Sequence, residues 1–304
     1  MAFIRIKKVK GLDYYFLVKS QWDPDRKDSK QKIIKYLGKA SNVTINDIPP
    51  EFRNNPRILS TLAANQEVQN EKSLINRELR ELVFDSLRQG DIDKIMNIVE
   101  KYKKQESLFE FYDSILKPVM VEVGDLWIQN KLDIGTEHVC SNIASRIINM
   151  INKLHNEQRL KKEIILICTP EGEMHNLGCN VIESVLLEKG FKVSNISPSV
   201  PSDSIIEYIS DNNPSLVLVS ISHRDNLGSG IRLLQKISSY FNVPVLMGGV
   251  ALNNISEDKK SFIESTSPNV KVIPDCTLET FLQIVKFQFS NSLKKEKYWN
   301  KKVP

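Results

Sequence analysis

The hydrophobic pattern changes character twice along the chain. Residues 3–10, FIRIKKVK, alternate apolar and basic positions, 13–19, DYYFLVK, form an aromatic-rich run, and 31–37, QKIIKYL, form another short β-like run. Gly11-Leu12-Asp13 is a turn between the first two, and Asp23-Pro24-Asp25 opens a polar loop before the third. This predicts a three-stranded antiparallel module over 1–45. A linker with Pro49-Pro50 and Pro56 follows, over 46–66. Helical periodicity then takes over, with helices expected at 68–89, 91–104, 106–130 and 133–158. Gly90 separates the first two, and Asp91 and Asp133 are N-cap candidates. Four helices with short connections predict a bundle over 67–159. Pro118 is expected to kink its third helix.

From about 160 the period changes. EIILIC (163–168), FKVSNI (191–196), SLVLVSI (215–221), VPVLMGG (243–249) and VKVIPD (270–275) read as strands. Helical stretches lie between and after them at about 176–189, 203–212, 228–240, 252–265 and 277–290. Such alternation makes βαβ units and a parallel sheet, and near-continuous apolar strands suit a sheet buried on both faces. The expected fold class is therefore α/β. A small β-rich N-terminal module precedes a four-helix bundle, and a doubly wound, Rossmann-like or flavodoxin-like parallel sheet fills 160–292. Residues 293–304 are a Lys-rich tail, expected to fray.

Composition narrows the class little further. In 304 residues, 41% hydrophobic and 26% charged positions suit a globular chain. No apolar run is long enough for a membrane span, and the N-terminus carries no secretory pattern. Cys140, Cys168, Cys179 and Cys276 are widely spaced, which argues against a disulfide framework and a Cys-based zinc site. The expectation is a cytoplasmic protein with no membrane contact. Charge is more informative: residues 1–45 hold eleven Lys or Arg against four Asp, a net +7, so the other 259 carry −2. Such a module could meet nucleic acid or a regulatory protein. It could equally be a solvated edge surface on which Lys blocks sheet-to-sheet pairing. No basic–aromatic stacking motif is visible in the linear sequence, so at most weak, salt-sensitive nucleic-acid binding is expected. The module loosely resembles the short β-rich segment at the start of some transposase-like proteins.

Parallel α/β sheets bind ligands at the carboxyl ends of their strands. After the first strand of this sheet comes Thr169-Pro170-Glu171-Gly172-Glu173-Met174-His175-Asn176-Leu177-Gly178. One imidazole, His175, stands there with a carboxylate, Glu173, two residues earlier, and Gly178 permits close approach of a ligand. The third strand ends in Ser220-Ile221-Ser222 and the fourth in Gly248-Gly249, small residues that could leave a slot between strand ends. The plainer alternatives are a surface histidine and ordinary turn chemistry. No GxGxxG follows the first strand, which disfavours a dinucleotide.

Glu173-x-His175-x-x-Gly178, Ser220-x-Ser222 and Gly248-Gly249, in that order, resemble the cobalamin-binding domain in its base-off, His-on form. The bundle resembles the cap that precedes it. The resemblance implies cobalamin as cofactor, with His175 the lower axial ligand of cobalt. Glu173 would hold the other ring nitrogen, although the family usually has the shorter Asp. Ser220, Ser222 and Gly248-Gly249 would line the slot for the nucleotide tail. In the bundle, Trp127 followed nine residues later by Glu137-His138 looks like the signature of cobalamin-dependent photoreceptors and their sensory relatives. Val139, Ile143, Ile147, Met150, Ile151 and Leu154 form the expected apolar stripe of that helix. His138, Ser141, Asn142 and Ser145 lie opposite.

The leading expectation is a cobalamin-binding sensor or regulator, favouring adenosylcobalamin, with Trp127, Glu137 and His138 around the upper ligand. It would be a non-enzymatic protein that could respond to light and form a homo-oligomer. Residue 128 is Ile where the light-responsive prototype has a cobalt-binding His, leaving His138 or His223 as substitutes. The alternative is a corrinoid methyl carrier of a methyltransferase system, for which methylcobalamin would be the working form.

Overall fold

A computed structural model describes residues 2–9, 12–23, 28–155, 163–273 and 275–299. The chain divides into two compact units, residues 1–79 and 80–304, each taken here by itself.

In the first unit, β1 (Ala2–Val9), β2 (Leu12–Asp23) and β3 (Asp28–Lys39) form an antiparallel sheet in the order β1-β2-β3. Ala2, Ile4, Tyr15 and Leu17 point to one face and pack on Ala40, Val43, Ile48 and Ile58. Ile58 belongs to α1, Pro56–Gln89, so helix replaces part of the expected linker over 46–66. Pro56 fits there because the first helical turn needs no N–H from it. Asn55 Nδ2 donates to Ala2 O at 3.1 Å and Asn65 Nδ2 to Ala40 O at 2.8 Å, tying this segment to the sheet.

The second unit continues with α2 (Ile92–Gln105), α3 (Leu108–Phe111), a π turn (Tyr112–Leu116), α4 (Lys117–Ile128) and α5 (Ile134–His155). The Asp91 carboxylate accepts from Lys94 N–H, and Asp133 Oδ1 from Thr136 N–H at 2.9 Å. Pro118, where a kink is expected, lies in the first turn of α4, just after the π turn. It has no N–H for Ser114 O, and Arg80 Nε donates to that carbonyl instead, at 2.7 Å. The π turn falls beside this gap. The buried stripe of α5 is Cys140, Ile143, Ala144, Ile147, Ile148 and Ile151. Val139 and Met150, expected in that stripe, are exposed.

The sheet of this unit has β4 (Ile164–Cys168), β5 (Lys192–Asn195), β6 (Leu216–Ser220), β7 (Val245–Gly248) and β8 (Val270–Val272). All four pairings are parallel, in the order β5-β4-β6-β7-β8. The connecting helices are α6 (Leu177–Glu188), α7 (Ser202–Asn212), α8 (Leu227–Tyr240), α9 (Glu257–Glu264) and α10 (Leu278–Trp299). The expected tail from 293 is thus helical as far as Trp299. Strand order reverses between β4 and β6, where a doubly wound sheet opens a crevice at its carboxyl end. Bundle and sheet meet through the buried Tyr112 hydroxyl and Ser184 Oγ of α6, 2.8 Å apart. Asp113 Oδ2 accepts from Leu278 N–H at 2.8 Å, and Lys117 Nζ donates to Asp275 Oδ1 at 2.8 Å.

Candidate functional site

The loop from β4 to α6 is fixed from several sides. Gly172 adopts φ +90°. Gly172 N–H donates to Ser199 Oγ at 3.0 Å, Ser199 N–H to Thr169 Oγ1 at 2.8 Å, and Glu173 N–H to Pro170 O at 3.1 Å. The loop thereby turns the Glu173 side chain inward, where it is 0% exposed.

Five N–H groups converge on that carboxylate. Oε1 accepts from His175 N–H at 3.0 Å and from His175 Nδ1 at 2.7 Å. Oε2 accepts from Ser222 N–H and His223 N–H, each at 2.9 Å, and from Asn226 Nδ2 at 3.1 Å. Burial by itself would raise the carboxyl pKa, but these donors outweigh it and bring it down to about 2. An ionised carboxylate only accepts, so Nδ1 of His175 carries the proton. When that is the ring's one proton, Nε2 presents a bare lone pair, and the side chain is 65% exposed. Locking one ring nitrogen with a carboxylate is how a histidine is oriented toward a metal.

Beside this loop lies a cavity of about 220 Å³ at the carboxyl ends of the strands. Ile182, Leu218, Leu246, Ile273 and Phe281 give it apolar walls, with Ser220 the hydroxyl among them. Gly178 and Gly248 border it, and a Cβ on Gly178 would point into open space. Gly249 serves the backbone: its φ is +111°, and a Cβ there would lie 2.2 Å from Ile221 O. Ser222 is outside the cavity lining, and its N–H serves Glu173. Lys117 and Asp275, joined as an ion pair, also border the cavity.

Residues 163–264 match the B12 binding domain family, and residues 79–152 match a second B12 binding domain family. This chain is a cobalamin-binding domain protein with a helical cap. The dimethylamine corrinoid protein 1 of Methanosarcina acetivorans is 26% identical over 172 residues, covering 55% of this chain and 81% of that protein. The HTH-type transcriptional repressor CarH of Myxococcus xanthus is 22% identical over 177 residues, 57% of this chain and 58% of that protein. The structure of the Methanosarcina barkeri monomethylamine corrinoid protein shares the fold. Its TM-score is 0.56 at 12% identity, over 69% of this chain and 98% of that one.

The residues of this cobalamin-binding protein fit the group. A flat apolar base with a polar ribose–phosphate arm suits an apolar slot with one hydroxyl and a glycine rim, and a preset histidine stands on the loop that leads to its Gly178. In the cap, Glu137 Oε2 pairs with His138 Nδ1 at 2.6 Å and Glu137 Oε1 accepts from Ser141 Oγ at 2.7 Å. Trp127, at the end of α4, is 43% exposed, and Ile128 is 71% exposed with no atom able to ligate cobalt. His223 stands beside the expected lower ligand, its ring nearly parallel to that of His175 at 6.4 Å. Sequence reading missed Asn226, Thr169 and Ser199: polar residues at a helix start or in a loop look like caps until tertiary contacts assign them. No helix among the described residues is long and apolar enough to cross a membrane.

Proposed function

We propose that this chain is a corrinoid methyl carrier, serving a methyltransferase system rather than acting as a light-responsive regulator. The observation that carries the reading is the match to dimethylamine corrinoid proteins, which extends over 81% of one such protein and joins the cap and sheet domain families in one chain. Bound cobalamin supplies the cobalt on which a methyl group rides. The chain supplies the rest. His175 would offer Nε2 to the cobalt, Glu173 would keep Nδ1 protonated and the ring in place, and the slot between Ser220, Gly248 and α6 would take the nucleotide tail away from water. Methylcobalamin is the working form in this reading, and the cap shields it between encounters with partner enzymes.

The test is paired titration with methylcobalamin and adenosylcobalamin. A carrier binds the methyl form at least as tightly, and Trp127→Ala weakens both alike. A preference for adenosylcobalamin that Trp127→Ala selectively removes would refute the carrier. A sensor remains the second reading, favoured by the similarity to the Myxococcus xanthus repressor and by the Trp127 and Glu137-His138 spacing. A light-dependent change in the oligomeric state of the adenosylcobalamin-loaded chain, absent with methylcobalamin, would establish it, since lasting photolysis alone is common to both cobalamins.

A further inference from the structure

The N-terminal sheet has an outer face that none of the preceding chemistry uses. Register defines it. Arg5, Phe16 and Tyr36 stand in one cross-strand row, and Lys7, Tyr14 and Lys39 in the next. Both rows project away from the face that buries Ile4 and Leu17, because side chains alternate along a strand. Within and between the rows the groups pack together. The Arg5 guanidinium lies 5.6 Å from the centre of the Phe16 ring, and Phe16 and Tyr36 are 5.0 Å apart. Tyr14 and Tyr36 stack at 6.4 Å with 23° between their planes. Tyr36 is 55% exposed and Lys7 is exposed. Asp13 pairs with Lys8 and so falls on the opposite side, and the six residues of these two rows are themselves all aromatic or cationic.

We infer that this face binds single-stranded nucleic acid without strong sequence preference. Charge and shape point to that one partner. Residues 1–45 carry +7 on a chain whose remainder carries −2, so a polyanion is favoured. A duplex would offer the lysines its phosphates but hide its bases from the three rings. An anionic polysaccharide has no π face. A single strand presents phosphates and bases together, which matches cations interleaved with rings. The Lys-bearing strands β1 and β3 are the sheet's edges, and lysines there discourage a protein strand from adding on.

The experiment is fluorescence anisotropy of the full chain, without added cobalamin, using labelled oligo-dT and oligo-U of about 20 nucleotides, a duplex of equal length, and heparin as competitor. At about 0.1 M salt, single strands bind in the micromolar range, and affinity falls as salt rises. DNA and RNA arms show which sugar is preferred. Tyr36→Ala weakens binding about tenfold with an unchanged melting curve, and Lys7→Ala lowers the salt dependence. No binding, equal affinity for the duplex, or an unchanged Tyr36→Ala variant overturns the inference. Because the assay contains no cobalamin, its failure leaves the proposed carrier function untouched.

Discussion

Glu173→Gln is the most informative single change in the cobalamin loop. The parent carboxylate receives five N–H groups on two oxygens, in a site closed to water. Glutamine keeps the shape but has one acceptor oxygen, and its amide NH2 must face the donors that the other oxygen satisfied. With His175 in its parental tautomer, either orientation leaves at least two donors without a partner: the two from His175, or the three from Ser222, His223 and Asn226. A hydrogen bond to a charged group contributes about 1.5–3 kcal/mol, so two lost bonds cost about 3–6 kcal/mol. In a unit of this size 1 kcal/mol moves the melting temperature by about 2–4 °C, so a fall of roughly 6–24 °C is expected. The assay is thermal unfolding of the cobalamin-free protein at pH 7, followed by circular dichroism. Glu173→Asp, one methylene short, should fall between parent and Gln variant. A change under about 2 °C for Glu173→Gln would mean that the five-donor cluster does not hold the loop, and the argument for a preset His175 would fail with it.

Further outcomes follow from the same geometry. His175→Ala should weaken cobalamin binding and shift the spectrum toward the base-off form, while leaving the melting temperature of the cobalamin-free protein nearly unchanged; a parental spectrum and affinity would exclude His175 as a ligand. Gly249→Ala places a methyl 2.2 Å from Ile221 O at φ +111°, so the soluble yield should collapse or the melting temperature drop by more than 10 °C or so, and near-parental stability would contradict that backbone path. Tyr112→Phe removes the buried hydroxyl paired with Ser184 and should cost about 1–2 kcal/mol in denaturant unfolding. Burial raises the Asp113 carboxyl pKa above its usual value of 3.8, with the Leu278 N–H partly opposing. The raised value means that stability present below the unfolded pKa is lost as pH rises through the folded one. Asp113→Asn, whose side-chain oxygen can still accept from Leu278, should therefore match or exceed the parent's melting temperature at pH 7 and lose that advantage near pH 3.

Much of the architecture was legible in the sequence because it rests on local periodicity. Apolar runs bounded by Gly and Pro marked all eight strands, and the parallel sheet followed from their alternation with helices. The order of Glu173, His175 and Gly178, then Ser220, then Gly248-Gly249, already carried the resemblance to a cobalamin site, since those residues lie at or just after the ends of β4, β6 and β7, neighbours in the sheet. Three things needed tertiary structure. Helix α1 starts at Pro56 because Ile58 finds a buried place under the N-terminal sheet, and no local signal announces that partner. The Glu173 cluster draws donors from residues 49 to 53 positions away, so its strength is invisible in the loop itself. Arg5, Tyr14, Phe16 and Tyr36 look like separate fragments of three strands, and only antiparallel register sets them side by side. Sequence fixes what each segment prefers over a few residues, whereas long-range pairing decides which of those preferences meet, because contact energies act in space and not along the chain.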